Sequence, residues 1–139
     1  GMPALALTDH DALYGAVPFV EAARGVGVRP ILGAELTLED GCHLTLLVED
    51  ARGWRNLCQL ITIAQHEAPK GQAALPWTAL DGRSEGLLCL TGCRRGPLTA
   101  ALLAWERQRA FRVARHLAAL FPGRLYVELQ HHLRPDDAT

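Results

Sequence analysis

The chain has 139 residues and a mass of 15.1 kDa, enough for one small domain with its own core and too few for two. Apolar residues make up 49% and charged residues 21%, which excludes disorder, collagen and coiled coil and leaves a soluble globular domain. The formal net charge of −1 hides a gradient, because residues 1–82 carry 5 basic and 10 acidic side chains whereas residues 83–134 carry 9 and 3; such an imbalance can steer one face toward a polyanion, although a solvated arginine-rich helix is the simpler account.

Ala4 to Thr8 is a short apolar run that reads as a buried strand leading into a polar loop. Gly15 to Arg24 carries apolar residues on one helical face, tolerates Pro18 in its first turn and stops at Gly25 and Gly27. Pro30 to Leu38 reads as a second strand, Glu39-Asp40-Gly41 as a turn, and His43 to Val48 as a third strand. Asp50 can cap a helix in which Trp54, Leu57, Cys58, Ile61 and Ala64 recur at helical spacing, ending near Gln65. Residues 67–76, with Pro69, Gly71 and Pro76, read as a loop before a short helical turn at Trp77 to Leu80. Gly86 to Thr91 is a fourth strand, and Gly96-Pro97 opens a short helix. A longer helix runs from Trp105 to Phe121 with Ala110, Val113, Ala114, Leu117 and Leu120 inward, and Arg124 to Gln130 alternates as a fifth strand ahead of a polar tail.

No apolar run approaches membrane-spanning length, so no membrane association is expected, and the N-terminus shows no secretory pattern. Cys42, Cys58, Cys89 and Cys93 form no C-x-x-C pair, which fits reduced thiols in a cytoplasmic protein.

Strands alternating with helices predict an α/β fold with a mostly parallel sheet and covered faces. Five strands cannot close a barrel, so the chain is expected to be an open sheet or, given its start just before a strand, a piece of a larger α/β barrel. In such folds polar residues at the carboxyl ends of strands mark the site. Here these are Thr8-Asp9-His10, Glu35 within an apolar strand, Gly92-Cys93, and His43 at the head of the third strand. Imidazole, carboxylate and thiolate together suit zinc or a similar divalent metal that activates water for hydrolysis. Each also has a plainer reading: Asp9 and His10 as a capping pair, Glu35 as an exposed strand residue, Cys93 as a small buried side chain. His131 and His132 would point to opposite faces of a strand, and His66 and His116 read as surface residues. No nucleophile elbow or phosphate-cradling glycine loop is present.

The segment Ala4-Leu-Ala-Leu-Thr-Asp-His-Asp-Ala-Leu-Tyr-Gly, followed by Gly27-Val-Arg-Pro-Ile-Leu-Gly-Ala-Glu-Leu, closely resembles the PHP (polymerase and histidinol phosphatase) domain at the N-terminus of bacterial C-family DNA polymerases, the DnaE-like alpha subunits. The likeness continues through His43-Leu-Thr-Leu-Leu, Gly53-Trp-Arg-Asn-Leu-Cys-Gln-Leu-Ile, Glu85 to Cys93 and Tyr126-Val-Glu-Leu-Gln, nearly the whole chain. The short turn before His43, the Arg-Asn-Leu-Cys-Gln-Leu-Ile stretch and the tail after Leu129 look more like the error-prone, damage-tolerant branch than the main replicase.

This resemblance implies a distorted, TIM-like α/β barrel of which residues 1–139 are a partial domain, lacking the family's leading His-x-His and closing Asp-x-His motifs. It implies metal ligands at His10, Glu35, His43 and Cys93, with Asp9 orienting His10 from outside. The ions would be zinc, manganese or magnesium in an incomplete site, supporting phosphoester hydrolysis such as 3′–5′ exonuclease activity. It further implies DNA, the rest of a polymerase chain and other replication or repair proteins as partners, in a nucleotidyltransferase; the chain by itself is expected to show little catalysis. A free-standing PHP phosphoesterase and a non-catalytic platform of the polymerase are the competing readings.

Overall fold

A computed structural model describes residues 1–66, 68–69 and 71–129. Its elements follow the order β1 (Ala4–His10), α1 (Ala16–Gly25), β2 (Arg29–Thr37), β3 (His43–Val48), α2 (Ala51–His66), a 3-10 turn (Trp77–Leu80), β4 (Leu87–Leu90), α3 (Pro97–Leu103), α4 (Arg107–Leu120) and β5 (Leu125–Tyr126). The five strands form one sheet in the order β1-β2-β3-β4-β5.

The expectation of a mostly parallel sheet is corrected. β1 and β2 are parallel, as are β4 and β5, but β3 is antiparallel to both of its neighbours. The reason is the connection between β2 and β3, residues 38–42, which is far too short for the crossover that a parallel pair requires. Gly41 turns it with φ +78°, a left-handed conformation that glycine adopts without steric cost. The sheet is open, and the described residues form no closed barrel.

Alternation along β2 and β3 explains the packing. The register sets Ala34 opposite Leu46, Leu36 opposite Leu44, and Leu46 opposite Cys89, so these side chains share one face. That face carries the core: Leu36, Leu44, Leu46, Leu87 and Cys89 cluster with Leu57, Leu60 and Ala64 of α2 and with Leu117 and Phe121 at the end of α4. Each fully buried Leu contributes about 1.5–3 kcal/mol relative to exposure. The opposite face displays Thr8, His10, Glu35, Thr37, His43 and Thr45. The apolar core thus covers one face, not both, and the other is polar where β1, β2 and β3 meet.

Local signals explain the element ends. Asp50 Oδ1 accepts the Gly53 N–H at 2.8 Å, the expected cap of α2. Gly53 is required for a second reason: a Cβ there would overlap the carbonyl of Gly86, so its bareness lets α2 lie close to the start of β4. β1 continues to His10, two residues past the expected end at Thr8, because Asp9 and His10 pair with Ala34 and Glu35. α4 begins at Arg107 and not at Trp105, which has φ +60° and cannot continue a right-handed helix. β5 is confined to Leu125–Tyr126; residues 130–139, including His131 and His132, lie outside the described residues. Among the described residues no helix is long and apolar enough to cross a membrane.

Candidate metal centre

The register assembles the site. His10 pairs with Glu35 across β1 and β2, and Glu35 and Thr37 pair with Thr45 and His43 across β2 and β3. Because strand side chains alternate between faces, the side chains of His10, Glu35 and His43 emerge together on the polar face. His10 Nδ1 lies 3.0 Å and His43 Nδ1 2.9 Å from the same oxygen, Glu35 Oε1. The two imidazole rings are tilted by 55° with centroids 4.8 Å apart. Exposure is graded, with side-chain accessibilities of 6% for His43, 29% for Glu35 and 52% for His10, so the cluster opens to solvent on the His10 side.

His10 has an acceptor on each side of its ring. Opposite Glu35, its Nε2 lies 3.1 Å from Asp11 Oδ2 and 3.1 Å from Thr37 Oγ1. Asp11 is fixed in turn: Oδ1 accepts the Thr37 N–H at 2.7 Å, Oδ2 accepts the Thr37 hydroxyl at 2.7 Å, and its own carbonyl accepts from Gln65 Nε2 at 2.9 Å. It is buried and has φ +50°, a strained conformation for a residue other than glycine, held by these bonds. A carboxylate that receives Nε2–H leaves Nδ1 with a free lone pair, the arrangement that orients metal-ligating histidines.

The residues singled out in the sequence divide accordingly. His10, Glu35 and His43 come together, with ligand atoms all within 4.8 Å of one another. Asp9 does not orient His10. As its neighbour on β1 it faces the opposite side of the sheet, where Oδ2 accepts the Gly15 N–H at 2.8 Å and shapes the turn into α1. Asp11 and Thr37, and not Asp9, contact the His10 ring opposite Glu35; the signal was the Asp-His-Asp triplet, in which only one flanking carboxylate is free to curl back to the ring. Cys93 lies outside the three-residue group, on the loop after β4. Gly92 (φ +79°) brings that loop close enough that a Cβ would stand 2.6 Å from the His43 carbonyl. His43 N–H donates to Arg95 O at 2.8 Å, and Cys93 Sγ accepts the Arg95 N–H at 3.4 Å.

Two of the other thiols resist ionisation. Burial pushes Cys42 up to about 11, assisted by the Asp40 charge, and burial alone pushes Cys89 up to about 12; metals bind the thiolate. All four cysteines are free. His116 is exposed and meets Trp77 edge-on at 5.7 Å.

The donor chemistry fits a divalent ion. Two imidazole nitrogens and a carboxylate oxygen are a set that zinc and manganese accept, and the Asp11 carboxylate supplies the outer support such sets require. The PHP domain family model matches residues 1–132. The chain belongs to the PHP domain family. It is 44% identical over 153 residues to an error-prone DNA polymerase of Symbiobacterium thermophilum, and 39% identical over 150 residues to that of Mycobacterium bovis. It is 36% identical over 144 residues to the DNA polymerase III subunit alpha of Pseudomonas aeruginosa. Each similarity covers 99% of this PHP chain, which spans only 12–14% of the length of these relatives.

Proposed function

We propose that this chain is the PHP segment of an error-prone DNA polymerase and that its sheet is a sector of a distorted α/β barrel. On this reading His10, Glu35 and His43 form part of a divalent-metal site for phosphoester hydrolysis at a DNA 3′ end. The observation that carries it is the convergence of two imidazoles on one carboxylate oxygen in a PHP chain. The higher identity to error-prone polymerases than to the alpha subunit supports that branch. Cys93 is the proposed fourth ligand, since its loop is tied to the His43 backbone. DNA synthesis belongs to the remainder of the polymerase, with DNA and other replication or repair proteins as its partners in the cytoplasm.

A zinc, manganese or magnesium ion held there supplies Lewis-acid polarisation of a phosphate oxygen. Glu35 offers the negative charge that balances a cation between two histidines. Asp11 keeps the His10 proton on Nε2, and Thr37 keeps Asp11 in position. The open side at His10 leaves the phosphoester a path to the cluster.

The test uses the polymerase that carries this segment. Glu35→Ala is expected to lower bound divalent metal and metal-dependent removal of the 3′ nucleotide by about 100-fold or more, with primer extension retained. Unchanged nuclease activity despite lost metal would transfer the cluster to the structural-platform reading, and no bound metal in either protein would overturn the proposal. Cobalt substitution examines Cys93: a thiolate-to-cobalt absorption band that vanishes in Cys93→Ser supports the fourth ligand, and its absence from the unaltered protein removes it.

A further inference from the structure

α4 has the sequence Arg-Gln-Arg-Ala-Phe-Arg-Val-Ala-Arg-His-Leu-Ala-Ala-Leu, with four arginines and no acidic residue. Its inward stripe is used by the core through Ala110 and Leu117. Helical spacing puts Arg107, Phe111 and Arg115 in one row on the outer side, with Arg112 beside it. Phe111 is 68% exposed, and Trp105, just ahead of the helix, is 84% exposed. Exposed apolar side chains occur elsewhere on this chain; what sets these two apart is that they stand beside a row of arginines. Trp105 also keeps the left-handed φ of +60°, which turns the chain sharply between α3 and α4.

Trp105, Arg107, Arg109 and Arg112 line an open cleft of about 560 Å³ together with Glu106 and Gln108. Glu106 is occupied by Arg109, at 3.0 Å. Among the described residues no carboxylate pairs with Arg107 or Arg112. The cleft therefore presents cations and an aromatic plane to whatever fills it.

Topology relates the cleft to the metal centre. β4 and β5 are parallel, so the chain between them must return along the sheet, and α4, the last helix of that crossover, starts at the end where β1 and β2 finish and β3 begins. Arg109 confirms this, approaching Asp40 in the β2–β3 turn at 3.8 Å, three residues before His43.

We infer that Trp105 and the outer face of α4 form a binding platform for single-stranded nucleic acid. Arginines meet the phosphates and the aromatic faces stack bases, a combination that tolerates any sequence. Charge complementarity favours a polyanion, and the exposed indole lining the same cleft favours one that carries bases to stack. The inference rests on the proposed hydrolytic site, for which the platform would hold the strand that delivers a 3′ end.

The experiment follows the anisotropy of a labelled oligothymidylate of about twelve nucleotides bound to the 139-residue chain, across a salt series. Arg107→Glu with Arg112→Glu is expected to weaken binding at least about tenfold and to flatten the log–log salt dependence by about 1.4. Trp105→Ala should cost about tenfold and Trp105→Phe should recover most of it, whereas Arg24→Glu, an exposed arginine on α1, should change nothing. Circular dichroism verifies folding, and Arg107→Gln with Arg112→Gln replaces any charge reversal that unfolds. Glu35→Ala should retain oligothymidylate binding, so failure of the metal centre and failure of the platform are separate results. Equal affinity and salt dependence in all variants would overturn the platform. So would a Trp105→Ala variant that binds the oligonucleotide normally but loses association with the rest of the polymerase.

Discussion

Asp11 Oδ2 lies 3.1 Å from His10 Nε2, across the ring from Glu35 Oε1, which lies 3.0 Å from Nδ1. The two carboxylates thus flank the imidazole, one at each ring nitrogen; on the proposed reading the Asp11 side carries the proton and the Glu35 side the ligand lone pair. Asp11→Asn removes the anion while keeping the size of the side chain. Divalent-metal affinity is expected to fall about 10- to 100-fold, measured by calorimetric titration, with Thr37→Val giving a smaller loss because it removes a neutral contact to His10 and to Asp11 and leaves the anion in place. An affinity unchanged by Asp11→Asn would show that Asp11 serves only the backbone of Thr37.

Asp9 is the contrasting case. Its carboxylate receives the Gly15 N–H at 2.8 Å on the helix-covered side of the sheet. Asp9→Ala should therefore lower unfolding free energy by about 1.5–3 kcal/mol, the worth of a hydrogen bond to a charged group, while metal affinity stays within about twofold. Denaturant titration and metal titration on the same variant separate the two effects, and a large loss of metal affinity with unchanged stability would reverse the assignment.

Much of this was legible because alternation is written into the strands. Glu35 stands out between Ala34 and Leu36, and His43 heads a run that the structure forms over the expected residues, His43–Val48. Direction was obscured by composition. The apolar content of β2, β3 and β4 resembles that of buried parallel strands, and only the shortness of the 38–42 connection shows that β3 must reverse. The resemblance implies Asp9 as the group beside His10, whereas the contacts at the ring come from Asp11 and Thr37. With β1 ending at Thr8, residues 9–11 were a loop without sides; once β1 runs to His10, Asp9 belongs to the core side and Asp11 is released to turn toward the site. Cys93 was chosen by residue type and loop position, neither of which fixes where a sulfur points.

Gly53 yields a stability prediction independent of the site. A methyl group there meets the Gly86 carbonyl, which is backbone and cannot swing aside, so α2 or the start of β4 must move. Gly53→Ala gains helix propensity yet should destabilise by about 1–3 kcal/mol, the usual cost of overpacking. A denaturation midpoint equal to or above the parent's would mean that the two segments separate at no cost.

The buried thiols make stability fall on the alkaline side. Burial raises Cys89 from 9.0 to about 12, and Cys42, through burial and then the Asp40 charge, from 9.0 to about 11. Below about pH 9 both thiols are protonated in the folded and unfolded chains, and their contribution to stability is fully present. Above it the unfolded chain releases protons that the folded chain retains, so stability falls as pH rises toward the folded values. Each thiol adds at most about 1.4 kcal/mol per pH unit to that decline. Cys89→Ala loses some packing at every pH but removes one of the two proton-linked losses, so its denaturation midpoint should fall less steeply than the parent's between about pH 9 and 11. Parallel slopes for the two proteins would mean that Cys89 ionises in the folded state as readily as in water, and that the sheet above it admits solvent.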